Sequence, residues 1–381
     1  MRVLFATVPA AGHIFPLVPL AWALRAEGHD VLVASWTSAE KVTESGLQWV
    51  DVAPGLNMYA EVFGRDDRSA AGAKMPDEYR RFFTTYGRDR EAFAALFSHV
   101  NDLVADRMVA TARSFRPDLV VYECMSHAAL VAAAALGVPA VQYAVGFQLT
   151  GPMTDAALPH LAPTFARHGV EPPASVDIIH NVPASMAVGD HGRWPVRGVP
   201  NSGGATLPDW LVQPADRPRV AVTLGTVSPS ISGLDRLNRT VAAAAGVDAE
   251  LVVTMGGFDL SQLGELPANV RGADWLPWDA LIRTCTAVIH HGGASVTLSG
   301  LHAGLPHLVL PDGADRDLHA AVLRDRGVGL VAQPDDIDSE LLRRLVTDDK
   351  LRSAAADAQA EVAAMPSPTA MVGELVRLVG H

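Results

Sequence analysis

Short apolar runs alternate along this chain with longer segments in which apolar residues recur at helical spacing. The runs Val3–Val8, Asp30–Ser35, Gln48–Val52, Leu119–Cys124 and Val138–Tyr143 predict strands. Between them, Phe15–Glu27 predicts a helix with Pro16 in its first turn and Gly28 at its end, and Ser126–Leu136 predicts one closed by Gly137. Strands that are apolar throughout, separated by helices, imply a parallel sheet covered on both faces.

The rhythm then breaks. Met58–Met75 is polar and glycine-containing and reads as a loop, and Pro76–Arg116 as largely helical, with Phe82, Phe83, Phe93 and Phe97 near helical spacing. Gly146–Val176 is Pro-rich and reads as irregular, in the manner of functional loops inserted in α/β domains. Trp194–Gly204, dense in Pro and Gly, reads as a domain linker. Beyond it the alternation restarts: strands at Arg219–Leu224, Glu250–Met255, Ala287–Ile289 and His307–Leu310, and helices at Leu234–Ala245, Asp279–Arg283 and Ser295–Leu301. Leu341–Leu378 is Ala-rich and helical apart from Pro366-Ser367-Pro368. The expected organisation is residues 1–200 and 201–365 as two Rossmann-like domains facing across a cleft, with the helix in 366–381 packing back on the first.

Composition narrows the partners. Of 381 residues, 49% are hydrophobic and 19% charged, which is a globular chain with a sizeable core. The net charge of −12 argues against nucleic acid and anionic membranes. Cys124 and Cys285 are far apart and sit beside apolar runs, so they read as reduced, buried thiols in a cytoplasmic protein. The N-terminal apolar run is too short for a signal peptide, and the run Ala128–Ala144 is broken by Gly137 and Pro139, so no membrane span is expected.

Three segments carry chemistry. The first, Gly12-His13, follows the first strand; a neutral imidazole there can take a proton from a hydroxyl, or can simply cap its helix or bond a carbonyl. The second, Glu123, ends a strand expected beside the first, and is either a partner for His13 or an acid facing water. The third, His290-His291-Gly292-Gly293-Ala294-Ser295, runs from a strand into a helix. Unpaired N–H groups at a helix start, the helix dipole and glycines that admit close approach together make an anion pocket suited to a diphosphate. A polar loop, Pro311–Ala320, follows a later strand of the same half.

With Gly12-His13-x-x-Pro16, His290-His291-Gly292-Gly293 and Pro311-x-x-x-Asp315 in this order and spacing, the chain resembles the family 1 glycosyltransferases of the GT-B fold, above all the bacterial branch that attaches deoxysugars to polyketide antibiotics. The resemblance implies that His13 is the general base and Glu123 its acidic partner. It implies donor contacts from Gly225, Thr226, Trp275, Leu276, His290, Gly292, Gly293, Ala294, Ser295, Asp315 and Arg316. An apolar acceptor is expected against Met58, Phe82, Phe83 and the Gly146–Val176 segment. Plant relatives follow the sugar-contacting acid with Gln, whereas Arg316 follows Asp315 here, which fits a deoxysugar better than glucose. The expectation is an inverting, metal-independent transferase without a cofactor, using a TDP-linked sugar as co-substrate, with a homodimer left open. Two alternatives stand beside it: an NDP-sugar 2-epimerase of the same fold, and a non-catalytic nucleotide-binding partner of a transferase.

Overall fold

The computed structural model describes residues 1–36, 40–56, 90–147, 151–189, 194–225, 228–254, 259–313 and 315–380. The described residues fall into two compact units, one running to Gly203 and taken up again at Met365, the other Gly204–Ala364.

The first unit is built on a parallel seven-stranded sheet: β1 (Arg2–Ala6), β2 (Asp30–Ser35), β3 (Trp49–Asp51), β4 (Leu119–Glu123), β5 (Ala140–Ala144), β6 (Asp177–His180) and β7 (Trp194–Pro195), in the order β3-β2-β1-β4-β5-β6-β7. The order reverses between β1 and β4, whose register pairs Ala6 with Tyr122. Alternate residues of β1 face opposite sides. Val3 and Phe5 pack with the helices Val18–Ala26 and Pro368–Val379, and Leu4 and Ala6 with Arg90–Phe115 and Ala128–Leu136. Both faces are therefore dry, which is why these strands read as apolar throughout. Residues of the C-terminal helix, Met371, Val372 and Leu375, belong to the first of these layers.

Three sequence expectations change here. Gly146–Val176 contains a helix, Gly151–Arg167, despite Pro159 and Pro163 inside it. Ala157, Leu161 and Phe165 recur every fourth residue, are buried, and line the side that packs on Arg90–Phe115, so tertiary burial overrides the missing backbone donors. Asp177–His180 adds a strand that the Pro-rich context conceals. The start of the expected linker is itself a strand: Trp194 pairs with Ile179 and Pro195 with His180 at the sheet edge, where a proline is tolerated. The Met58–Met75 segment and residues 76–89 lie outside the described residues.

The second unit carries a parallel six-stranded sheet: β8 (Arg219–Thr223), β9 (Glu250–Thr254), β10 (Val270–Ala273), β11 (Ala287–His290), β12 (His307–Val309) and β13 (Gly329–Val331), in the order β10-β9-β8-β11-β12-β13. Its order reverses between β8 and β11, with His290 paired to Thr223 on one side and Val309 on the other. Each unit thus has a switch point at the carboxyl ends of two adjacent strands, the place where open α/β sheets bind ligands.

Candidate functional site

In the first unit the switch point holds an acid–base pair. The loop after β1 turns into a short helix, Ala11–Ile14, which carries His13, and Glu123 is the last residue of β4. His13 Nδ1 donates to Glu123 Oε1 at 2.8 Å. The imidazole is 30% exposed and the carboxylate fully buried. A carboxylate can only accept, so this bond puts the His13 proton on Nδ1 and the lone pair on Nε2. The Cys124 thiol donates to the same Oε1 at 2.8 Å. Burial alone would raise the Glu123 carboxyl, but the facing His13 outweighs it, with help from the Cys124 thiol and the Met125 backbone, and the group sits below its ordinary value. Of the two roles the sequence leaves open for each residue, the structure shows a His–carboxylate pair.

In the second unit β11 runs through His290, His291 and Gly292 into the helix Ala294–His302, capped by Gly293 in extended conformation with no side-chain bond. Gly293 itself gives the first-turn N–H groups no side-chain cap, and no acidic side chain lies in that turn. Gly292 has φ +90°, and a Cβ on it would come within 3.1 Å of Arg316 Cβ and its carbonyl oxygen. Only glycine fits this turn.

The two histidines divide their work. Val288 and His290 share a face of the sheet, under the helix Ala294–His302, because side chains alternate along a strand. The His290 ring is fully buried: Nε2 lies 2.8 Å from His307 Nδ1, and Nδ1 accepts the Gly292 N–H at 3.0 Å. Burial keeps its pKa well below the usual histidine range. Both nitrogens of the ring from which the resemblance implies a donor contact are thus engaged within the protein. His291 is the ring set among the glycines. Its Cε1 lies 2.8 Å from where a Gly225 Cβ would stand, and its Nε2 2.5 Å from where a Gly293 Cβ would stand. Burial, and then the Arg316 guanidinium, lower His291 to about 3, so it is a neutral ring at neutral pH.

Beside this turn, Asp312 accepts from Arg316 and from Ser232 Oγ, the latter at 2.9 Å. Burial would raise Asp312, but Arg316 leads the interactions that pull it below its ordinary value. The Arg316 side chain, expected at the donor, pairs through one guanidinium nitrogen with this buried carboxylate. Asp315 is the exposed member of the pair: it sits at the cap of the helix Arg316–Asp325, with Oδ2 3.5 Å from His319 Nε2. His319 is buried and its Nδ1 donates to the Gly292 carbonyl at 2.7 Å. Trp275 is 38% exposed, whereas Leu276 belongs to a buried cluster with Leu281, Ile282 and Val288. Gly225, φ +70°, donates its N–H to Thr223 Oγ1 at 3.0 Å.

The structure brings His13 and Glu123 together in one unit, and Gly225, Gly292, Gly293, Ala294, Ser295, Asp315 and Arg316 around one turn in the other. Thr226, Met58, Phe82 and Phe83 lie outside the described residues. Sequence reasoning gave His307 no part in the site, and named His291, Asp312 and His319 only as members of the histidine–glycine motif and the polar loop. The doubled histidine signalled His291, and the Asp312/Arg316 spacing of one helical turn signalled Asp312.

Comparison with known proteins agrees with this architecture. Residues 22–225 match the N-terminal domain, and 238–378 the C-terminal domain, of the erythromycin biosynthesis protein CIII-like family. The elloramycin glycosyltransferase ElmGT of Streptomyces olivaceus is 35% identical, over 98% of this chain and 97% of that protein. The solved glycosyltransferase SnogD of Streptomyces nogalater superposes with a TM-score of 0.85 at 38% identity, covering 100% of this chain and 99% of that one. The glycosyltransferase VinC, solved in complex with dTDP, superposes with a TM-score of 0.82 at 30% identity, covering 100% of both chains.

Proposed function

The chain belongs to the erythromycin biosynthesis protein CIII-like family of GT-B glycosyltransferases, and from that premise we propose that it is an inverting enzyme that moves a deoxysugar from thymidine diphosphate to an apolar, polyketide-type acceptor. A full-length likeness to named glycosyltransferases leaves the epimerase and the non-catalytic partner without a supporting observation.

The observation that carries the chemistry is the His13–Glu123 pair at the carboxyl end of β1 and β4. With its Nδ1 proton held by Glu123, His13 offers Nε2 to the acceptor hydroxyl. The hydroxyl oxygen attacks the anomeric carbon as its proton passes to Nε2, and the bond from that carbon to the diphosphate oxygen breaks. Attack from the side opposite the leaving group inverts the anomeric centre. The imidazolium so formed is stabilised by a carboxylate already ionised and desolvated.

The departing diphosphate gains negative charge, and the second unit supplies fixed donors for it. These are the first-turn N–H groups after Gly293, the positive end of the helix Ala294–His302, and the His291 ring. Pre-placed dipoles need no reorganisation during reaction, so the proposed chemistry runs without a metal or a cofactor. The pairing of Asp312 with Arg316 removes a carboxylate charge that would repel the diphosphate. Asp315 is proposed to bond the sugar and Trp275 to pack on the nucleobase; both are exposed enough to do so.

The test is a panel of TDP- and UDP-sugars with polyketide acceptors, scored by which nucleotide is released. His13→Ala should lower kcat by roughly 10²–10⁴-fold, and undiminished turnover on a hydroxyl acceptor would remove His13 from the mechanism. His291→Ala should raise the donor KM by about tenfold or more, since a buried donor group is lost from an anion site. A donor KM unchanged in that variant would place the diphosphate elsewhere.

A further inference from the structure

His307 opens β12 and is fully buried, at a position no motif singles out. It is the end of a directed chain of hydrogen bonds. His290 Nδ1 accepts the Gly292 N–H, so the His290 proton is on Nε2, which donates to His307 Nδ1 at 2.8 Å. The two rings meet edge to face, 5.1 Å between centroids. Room for His307 is made by Gly300 in the covering helix: a Cβ there would lie 2.4 Å from His307 Cε1. The carbonyl of Gly292 is held from the other side by His319. Both backbone groups of the glycine that turns the chain into the Ala294–His302 helix are thus held by imidazoles, one two residues earlier at the end of β11 and one from the helix Arg316–Asp325. Burial keeps His307 neutral, its pKa lowered to about 3, so the chain of bonds keeps its direction throughout the neutral range.

We propose that His307 is a positioning residue for the donor diphosphate: by accepting from His290 it fixes that ring, and through it the Gly292 peptide, so that His291 and the N–H groups after Gly293 point where the anion binds. This rests on the reading that the diphosphate binds at this turn. Ligand contacts in a site are only as well placed as the residues behind them, and an imidazole's tautomer is set by the partner of its far nitrogen.

The experiment compares His307→Leu, which fills the space without an acceptor, with His307→Gln, whose amide oxygen can accept from His290 Nε2. TDP binding is measured by calorimetry on each full-length folded variant. His307→Leu should weaken TDP binding by about tenfold, the order expected when a buried donor loses its acceptor, and His307→Gln should stay within about threefold of the parent. Equal affinities in the two variants, whether both intact or both weakened, overturn the proposal. Should His307→Leu not fold, imidazole ¹⁵N spectra of the parent protein decide. His290 protonated on Nε2, with His307→Gln retaining binding, supports the proposal, and protonation of His290 on Nδ1 overturns it. His291→Ala is measured alongside. If it binds TDP like the parent, the donor-site reading itself fails; if it is weakened while His307→Leu is not, only the role of His307 falls.

Discussion

Which of two adjacent histidines meets a ligand is settled by one step of the β-pleat. His290 falls on the face covered by the helix Ala294–His302 and becomes part of the frame, while His291 falls among Gly225 and Gly293. The doubled motif is plain in the sequence, but the division of labour is not, because both residues have the same chemistry and only packing separates them. Glu123 shows the converse. Read alone it is a strand-end acid; in the structure the register of β1 against β4 sets it, buried, against His13. Glu123→Gln is predicted to leave the fold intact and lower kcat by about 10²–10⁴-fold, because an amide can donate to Nδ1 and so favours the tautomer that leaves no lone pair on Nε2, and cannot stabilise an imidazolium. A Gln variant as active as the parent would show that the carboxylate is a bystander.

Elements were legible where local chemistry and packing agree. The strands around both switch points are apolar throughout, and the helices after them end on glycine signals such as Gly137, φ +66° at a left-handed cap. The helix Gly151–Arg167 was not legible, because two prolines speak against it locally and the reason for its existence, burial of Leu161 and Phe165 against Arg90–Phe115, is non-local. The C-terminal helix Pro368–Val379 is a further case. It begins with Ser367 accepting the Ala370 N–H, a cap readable from the sequence, yet it packs on Val18–Ala26, far away in the chain. Leu375 is fully buried there, and Leu375→Ala is predicted to destabilise the first unit by about 2–5 kcal/mol. Denaturant unfolding of the variant checks this, and a loss below about 1 kcal/mol would mean that the helix contributes little to that core.

For the molecule as a whole, the buried histidines set the response to acid. His127 is lowered to about 4 and His291 and His307 to about 3, in each case chiefly by burial, and His290 lies well below its ordinary value. These groups bind protons more weakly folded than unfolded, so the unfolded chain takes up more protons once the pH drops below about 6.5, the ordinary histidine value. Stability is then fully present above that pH and falls progressively toward pH 3. Glu123, also lowered in the folded state, adds the same sign in a lower window, as the pH falls past the ordinary carboxyl value. The predicted outcome is a melting temperature that begins to drop already between pH 6.5 and 5, before ordinary carboxylates titrate; a flat profile down to pH 5 would show that the histidines are not held as described.

The amino-acid sequence by itself determined the α/β class, the two halves, the glycine-rich turn before a helix and the residue types fit for proton transfer and anion binding. Those follow from periodicity and from chemistry that is local along the chain. Only the tertiary structure decided that His13 and Glu123 are partners, that His290 lies under the covering helix and His291 among the glycines, that Arg316 answers Asp312, and that His307 stands behind the turn. Each of those depends on strand order, pleat and helix packing, which select among pairings that local sequence signals leave open.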